Sequence, residues 1–369
     1  MLKRPRAILG GSMAKGTWLR GIYDVDIFVQ FPYATESEKL SDLLEKDIKK
    51  LKPARLHGSR DYFQVQRGKI AYEIIPILKI TKASQAKNIT DISPLHAKWV
   101  GKNIKDTDQV RLLKQFAKAQ KVYGAESYIN GFSGYVLEIL IAHYKTFNRL
   151  MHSAAKWKPK TIIDIMHYHK NVMLEVNKSK LASPLILIDP VQKGRNTAAS
   201  LSNEKYEKFV AAAGEFTKNK SKEHFIIRAA SEEQLRKNGY KVLFATSKKD
   251  KEDITGCKLL KAYEFLKEKL KEHEFTILES GWEFDKSTKA IMWYKLKEKK
   301  LPAKRKWGGP PLKAKQHVEA FKRKHKQTYT ENKRIYAIIQ RQYATPEELL
   351  AAESKNPYLK DKVKSITLK

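Results

Sequence analysis

The chain has 369 residues, room for two or three domains, and a hydrophobic content of 41% that supports packed cores and excludes a disordered chain. Its net charge is +34, spread over most of the sequence, which points to a polyanionic partner: nucleic acid first, an anionic membrane surface second. No stretch approaches the ~20 apolar residues of a spanning helix. The opening Met1-Leu2-Lys3-Arg4-Pro5-Arg6 has no signal-peptide core, and the one cysteine, Cys257, leaves no internal disulfide or cysteine-based zinc site, which suits a reducing cytoplasm.

In chain order, Ala7-Ile8-Leu9 runs into glycines and Val25 to Val29 alternates as a strand. Glu38 to Leu51 carries an apolar stripe at helical spacing, and Tyr62 to Gln66 and Ile70 to Ile80 read as two strands turning at Gly68. One helix on a small mixed sheet makes a compact unit ending near residue 95. From Asp106 to about residue 180 the pattern is mostly helical, including Val136 to Phe147 and Thr161 to Val176; Pro184 to Pro190 is a short buried strand and Asn203 to Phe216 a further helix. Beyond residue 225 the pattern turns α+β, with a helix over Leu259 to Lys271, strands over Phe275 to Leu278 and Ala290 to Lys295, and a break at Gly308-Gly309-Pro310-Pro311. The Lys-rich end, with Trp307, Phe321, Tyr329, Tyr336 and Tyr343 interleaved, is either a solvated surface or an RNA track on which tyrosines stack. These shifts divide the chain into residues 1–97, 98–225 and 226–369.

Chemistry concentrates near the start. In Asp24-Val25-Asp26-Ile27-Phe28-Val29, alternation sends Asp24 and Asp26 to one face while Val25, Ile27 and Val29 face the core. Two carboxylates on one strand face repel unless a cation lies between them, and Mg²⁺, which keeps positions open for phosphates, is the natural one. Upstream, Gly10-Gly11-Ser12 ends a strand and opens a helical turn whose N–H groups and hydroxyl can hold phosphate oxygens. Glu73 is the one acid in the apolar strand Tyr72-Glu73-Ile74-Ile75-Pro76, where a carboxylate is costly unless paired with a lysine or bound to metal. His167-x-His169, read as helical, points its rings apart and makes a poor metal pair.

These residues resemble the polymerase-beta-type nucleotidyltransferase superfamily and, within it, the archaeal (class I) CCA-adding tRNA nucleotidyltransferases. The resemblance rests on Gly11-Ser12-Met13-Ala14-Lys15-Gly16-Thr17-Trp18-Leu19 with Asp24-x-Asp26, then Ser93 to Trp99, Val110 to Lys114, Val122 to Glu126, Gly131 to Tyr135 and Asp189-Pro190-Val191 with Arg195-Asn196, in family order. It is strong over residues 8 to 205 and loose beyond, mainly around Trp307 to Pro311. Three positions depart from the family: Glu73 and Lys15 stand where Asp and Arg are usual, and Ser93 where Thr is usual. The chain also opens almost directly at the first strand, without the family's preceding helical segment, as a compact form or a truncation would.

The resemblance implies an α+β multidomain protein: a polymerase-beta-like head with helices on a small mixed sheet, a helical central domain and an α+β C-terminal domain. It implies that Asp24, Asp26 and Glu73 hold Mg²⁺ and carry catalysis. Gly11, Ser12, Lys15, His96, Lys114 and Tyr123 would bind the triphosphate of CTP or ATP, and Arg195 would read the base with a rigid planar fork. The tRNA 3′ end would attack the α-phosphate and release pyrophosphate, with the acceptor and T arms held through phosphates and A-form shape. The implied enzyme is cytoplasmic, needs no membrane, and the resemblance allows a dimer. A poly(A)-polymerase-like terminal transferase and a non-catalytic RNA-binding protein with a dead core are the alternatives; three intact acids argue against the second.

Overall fold

A computed structural model of the chain describes residues 5–21, 23–248 and 250–368, so the expectation about Met1 to Arg4 lies outside the described residues. The chain divides into two compact units, one up to Arg228 and one from Ala229.

The first unit opens with β1 (Arg6–Leu9), the single helical turn α1 (Gly11–Ala14), β2 (Asp24–Phe31), α2 (Leu40–Ile48), β3 (Ala54–Leu56), β4 (Tyr62–Arg67) and β5 (Ile70–Leu78). The sheet order is β1-β2-β5-β4-β3, with β2 and β5 parallel and the other pairs antiparallel. The strands' two-residue period sorts the faces. Phe31, Phe63, Val65, Ile74 and Leu78 bury against Leu40 and Leu44 of α2, with Val29 packed on them, while Phe28, Ile75 and Ile77 bury on the other side. Asp24, Asp26 and Glu73 belong to that second face.

Next come α3 (Ser93–Asn103), α4 (Asp108–Ala119), α5 (Gly134–Tyr144), α6 (Phe147–Ala154), β6 (Thr161–Ile163), α7 (Val172–Glu175), β7 (Leu185–Leu187) and α8 (Asn203–Lys218). Every residue of α5 from Val136 to Ala142 is buried, the mark of a central helix in its core. The helix expected over Val136 to Phe147 is two: Lys145 turns to φ 70 and Thr146 caps α6 through Arg149 N–H.

The helix expected over Thr161 to Val176 does not form. The β-branched run Thr161-Ile162-Ile163 pairs in parallel with Leu185-Ile186-Leu187, burying Ile163. Asp164 Oδ2 then accepts from His169 N–H at 3.0 Å and stands 3.2 Å from His169 Nδ1, while His167 adopts φ 51. His167 and His169 therefore do not lie on a helix.

The second unit holds α9 (Glu232–Lys237), β8 (Lys241–Thr246), α10 (Glu252–Glu272), β9 (Ile277–Phe284), β10 (Lys289–Leu296), β11 (Lys304–Pro311), α11 (Lys315–Lys324), β12 (Thr328–Glu331), β13 (Arg334–Gln340), α12 (Pro346–Glu353), α13 (Pro357–Lys362) and β14 (Ser365–Leu368). An antiparallel sheet β14-β8-β10-β9 buries Leu243, Met292 and Tyr294 with Leu259, Leu266 and Leu270 of α10, and a second sheet runs β11-β13-β12. The Gly-Pro break is instead the end of β11, an edge strand where proline removes no ladder bond needed inward. A Cβ on Gly309 would lie 2.7 Å from Ile335 Cγ2 and 2.9 Å from the Phe321 ring, so glycine there permits close packing. Among the described residues, no helix is long and apolar enough to cross a membrane.

Candidate active site

The site begins where β2 emerges. Asp26 lies directly opposite Glu73 in the parallel β2–β5 register, and Asp24 one pleat earlier on the same face. Gly10 N–H donates to Asp26 O at 2.7 Å, and Gly11 has φ +54 with a would-be Cβ only 1.6 Å from Asp26 Oδ2. Glycine at 11 is thus required both by its backbone conformation and by the carboxylate beneath it.

Two of the three acids hold their protons more tightly than a free carboxyl. Burial raises the Asp26 carboxyl above its ordinary value; Lys15 opposes that rise and Asp24 adds to it. Glu73 is pushed up to about 7, by burial first and then by Asp26 and Asp24, with a hydrogen bond from Gln64 working the other way. Among the described residues, no three His, Cys, Asp or Glu side chains are gathered closely enough to hold a metal ion as they stand. In chemistry, though, the donor set fits a hard divalent cation: three oxygen ligands on one face, with Asp24 raising the proton affinity of Asp26 and both raising that of Glu73.

Behind this face is a buried ionic cluster. Glu138, fully buried on α5, receives Lys15 Nζ at 2.6 Å, the Thr17 hydroxyl at 2.7 Å and Lys114 Nζ at 3.1 Å. Burial alone would raise the Glu138 carboxyl, but the charges of Lys15 and Lys114 and the hydrogen bonds from Lys15 and Thr17 outweigh it and hold it below the usual range. Lys114 also donates to Thr17 O at 3.1 Å and Oγ1 at 3.0 Å. An ammonium has three donors, so Lys114, expected at the margin of an apolar stripe facing an anionic ligand, is instead 4% exposed and engaged within the protein. Burial lowers its pKa, and Glu138 offsets part of that. Tyr123 approaches the same place: a Cβ on Gly134 would stand 3.2 Å from its hydroxyl and 3.5 Å from Lys114 Nζ. Burial, with Glu138 and Glu126 nearby, pushes Tyr123 up to about 12, so it stays a neutral donor.

A second fully buried carboxylate, Asp189, closes the arrangement. It takes His96 Nε2 at 3.1 Å, Arg195 Nη1 at 3.0 Å, the Tyr135 hydroxyl at 3.1 Å and Val191 N–H at 2.9 Å. His96 on α3 stacks on the Tyr135 ring at 4.1 Å, and Lys15 Nζ lies 5.8 Å from the same ring. The structure therefore brings Lys15, Lys114, Tyr123, His96 and Arg195 around α5, with Gly11 and the half-buried Ser12 on the turn above Asp26. Sequence reasoning missed Thr17, Tyr135, Glu138 and Asp189 as site residues. For Glu138 and Asp189 the available signal is a lone acid in or at the end of an apolar run, as at Glu73; Thr17 and Tyr135 carry no such signal.

A mixed head sheet bearing paired acids behind a Gly-Ser turn, followed by a helical domain supplying cations, defines a nucleotidyltransferase. Residues 2–95 match the family model of a nucleotidyltransferase domain, 108–226 that of the tRNA nucleotidyltransferase second domain, and 237–365 that of the CCA-adding enzyme C-terminal domain. The CCA-adding enzyme of Nanoarchaeum equitans is 37% identical over 343 residues, covering 91% of this chain and 84% of that protein. The CCA-adding enzyme of Methanosarcina barkeri is 33% identical, covering 92% and 78%. Among solved structures, the Cid1 poly(U) polymerase matches with a TM-score of 0.46 at 11% identity over 61% of this chain and 87% of that one, too distant a likeness to bear on activity. The chain belongs to the CCA-adding enzyme family and is a tRNA nucleotidyltransferase. These relationships do not favour an open-ended poly(A)-type transferase or a non-catalytic core. The nucleotidyltransferase relationship also suggests dependence on a divalent metal.

Proposed function

We infer that the face bearing Asp24, Asp26 and Glu73 is where the 3′-terminal hydroxyl of tRNA meets the α-phosphate of CTP or ATP. The observation that carries this is the Asp26–Glu73 register, three acids on one face, with Gly11 leaving no room for a side chain of its own against Asp26. The hydroxyl gives up its proton to solvent, its oxygen forms a bond to the α-phosphorus, the bond to the bridging oxygen breaks, and pyrophosphate leaves. Asp24 and Asp26 would hold Mg²⁺ on the triphosphate side and Glu73 on the primer side; bound there, Mg²⁺ supplies charge neutralisation and activates the attacking oxygen.

The other residues bind and orient. Gly11 and Ser12 face the phosphates from the turn, Lys15, His96 and Tyr123 hold the triphosphate, and Arg195 contacts the base. Lys114 contributes its positive field and the placement of Thr17. The net charge of +34 supports a grip on the acceptor and T arms through phosphates, and the lone cysteine suits a reducing cytoplasm. The divisions near residues 97 and 225 would separate the head, the nucleotide-orienting domain and the tRNA-gripping body.

Single-turnover addition of C to a tRNA trimmed of its CCA end, run beside a melting curve, tests the assignment. Glu73→Gln keeps the shape, removes the charge and should lower the rate on the order of 10²–10³, with CTP affinity changing much less; Glu73→Asp should retain part of the activity. A Gln variant that melts early yet adds C at the normal rate would remove Glu73 from the active site and leave it a structural ion-pair partner.

A further inference from the structure

We propose that Asp189 is the positioning residue that sets nucleotide choice, by fixing the Arg195 fork and the His96 ring from one buried carboxylate. The proposal rests on the reading above of Arg195 as the base contact and His96 as a phosphate contact.

Asp189 lies at 0% exposure, separated from the end of β7 by Ile188 alone, and its two oxygens take donors from α3, α5 and the loop that follows β7. Oδ2 faces His96 Nε2 of α3 and Arg195 Nη1; Oδ1 takes the Tyr135 hydroxyl of α5 and Val191 N–H. The intervening loop is closed on itself: Asp189 N–H donates to Arg195 O at 2.9 Å and Arg195 N–H to Gln192 O at 2.9 Å, so the arginine is returned to its own aspartate. One guanidinium nitrogen is thereby held, which limits the directions in which the planar group can present its other donors on the exposed side, where the side chain is 33% accessible. A carboxylate can only accept, so His96 carries a proton on Nε2, and its ring plane is set by stacking on Tyr135 at 4.1 Å. Tyr135 is one helical turn from Glu138, whose partner Lys15 lies over the same ring. A base seated against Arg195 and phosphates seated against His96 therefore share one rigid anchor. A base that displaces the fork also disturbs the phosphate grip, which turns a poor base contact into a poor position for reaction.

The test compares CTP with UTP, as kcat/KM for addition to trimmed tRNA, in Asp189→Asn, Arg195→Ala and the double variant. Charged hydrogen bonds of this kind are worth about tenfold or more, so Asp189→Asn should cut the CTP-over-UTP ratio about tenfold and raise KM for CTP. Arg195→Ala should cut the ratio at least as far, and the double variant no further. A ratio unchanged in Asp189→Asn, or losses that multiply in the double variant, would overturn the proposal while leaving Arg195 as the base contact. A ratio unchanged in Arg195→Ala would overturn the base-contact reading and this proposal with it. If Asp189→Asn does not fold, Tyr135→Phe removes one of the four donors with the ring kept. It should lower the ratio by a smaller factor that vanishes in the Arg195→Ala background, and an unchanged ratio would overturn the proposal.

Discussion

Glu138 carries a full charge in the middle of a helix whose neighbours from Val136 to Ala142 are all buried, and it is tolerable there only because Lys15, Lys114 and Thr17 meet it. Removing one partner of such a group leaves the others buried and unpaired, a loss of about 3–5 kcal/mol. Glu138→Gln should therefore lower stability by that order at neutral pH, measured by urea denaturation. The pH dependence follows from the direction of the shifts. Glu138 and Asp189 both lie below their ordinary values of 4.5 and 3.8 in the folded protein. Their stabilisation is complete above those values and is lost as pH falls through the lower folded ones. Wild type should lose stability steeply on acidification below about pH 4.5, and Glu138→Gln should show a shallower slope there. An unchanged slope would mean that Glu138 is not ionised in the fold. The residue was legible in principle: an acid inside Val136-Leu137-Glu138-Ile139-Leu140 is the anomaly that marks Glu73. Which lysines answer it was not legible, because Lys15 lies 123 positions away and only the fold joins them.

Among elements, the start of α1 is tightly constrained. Gly11→Ala would strain a φ of +54 and drive a methyl into Asp26 Oδ2, displacing the carboxylate or the turn. A misplacement of about 1 Å at reacting groups can cost about 10² in rate, so this variant should lose about that factor in single-turnover C addition. Strong CTP binding with a normal rate in Gly11→Ala would show that the turn does not need to lie against Asp26. β2, β4 and β5 were readable because a half-buried strand alternates and the acids sit on one phase of it. Thr161 to Val176 has apolar residues at helical spacing, but the contacts that decide its fold, Ile163 with Leu187 and Asp164 with His169, are tertiary and not visible in the sequence. Gly308 to Pro311 was misread for a related reason: Gly and Pro punctuate interior strands but are admitted at an edge, and edge status is a property of the sheet.

For the molecule as a whole, the sign and size of the charge were plain in the sequence, and the second unit arranges some of it against rings. Lys306 Nζ lies 4.0 Å from the Tyr336 ring centre and Arg305 4.6 Å from that of Trp307, so part of the basic end is held in a defined geometry on β11 and β13. If tRNA is gripped mainly through phosphates, log K should fall linearly with log salt, by about 10³-fold or more between 50 and 200 mM. A nearly flat salt dependence would remove the electrostatic grip from the account. On this reading the acid-bearing face builds a defined end on tRNA without a template. The most direct measurement offers a tRNA lacking its CCA end both CTP and ATP with Mg²⁺ and sequences the product. The account predicts C, C and then A, with no further extension, and no addition by Asp26→Asn; an open-ended homopolymer, or full addition by that variant, would contradict it.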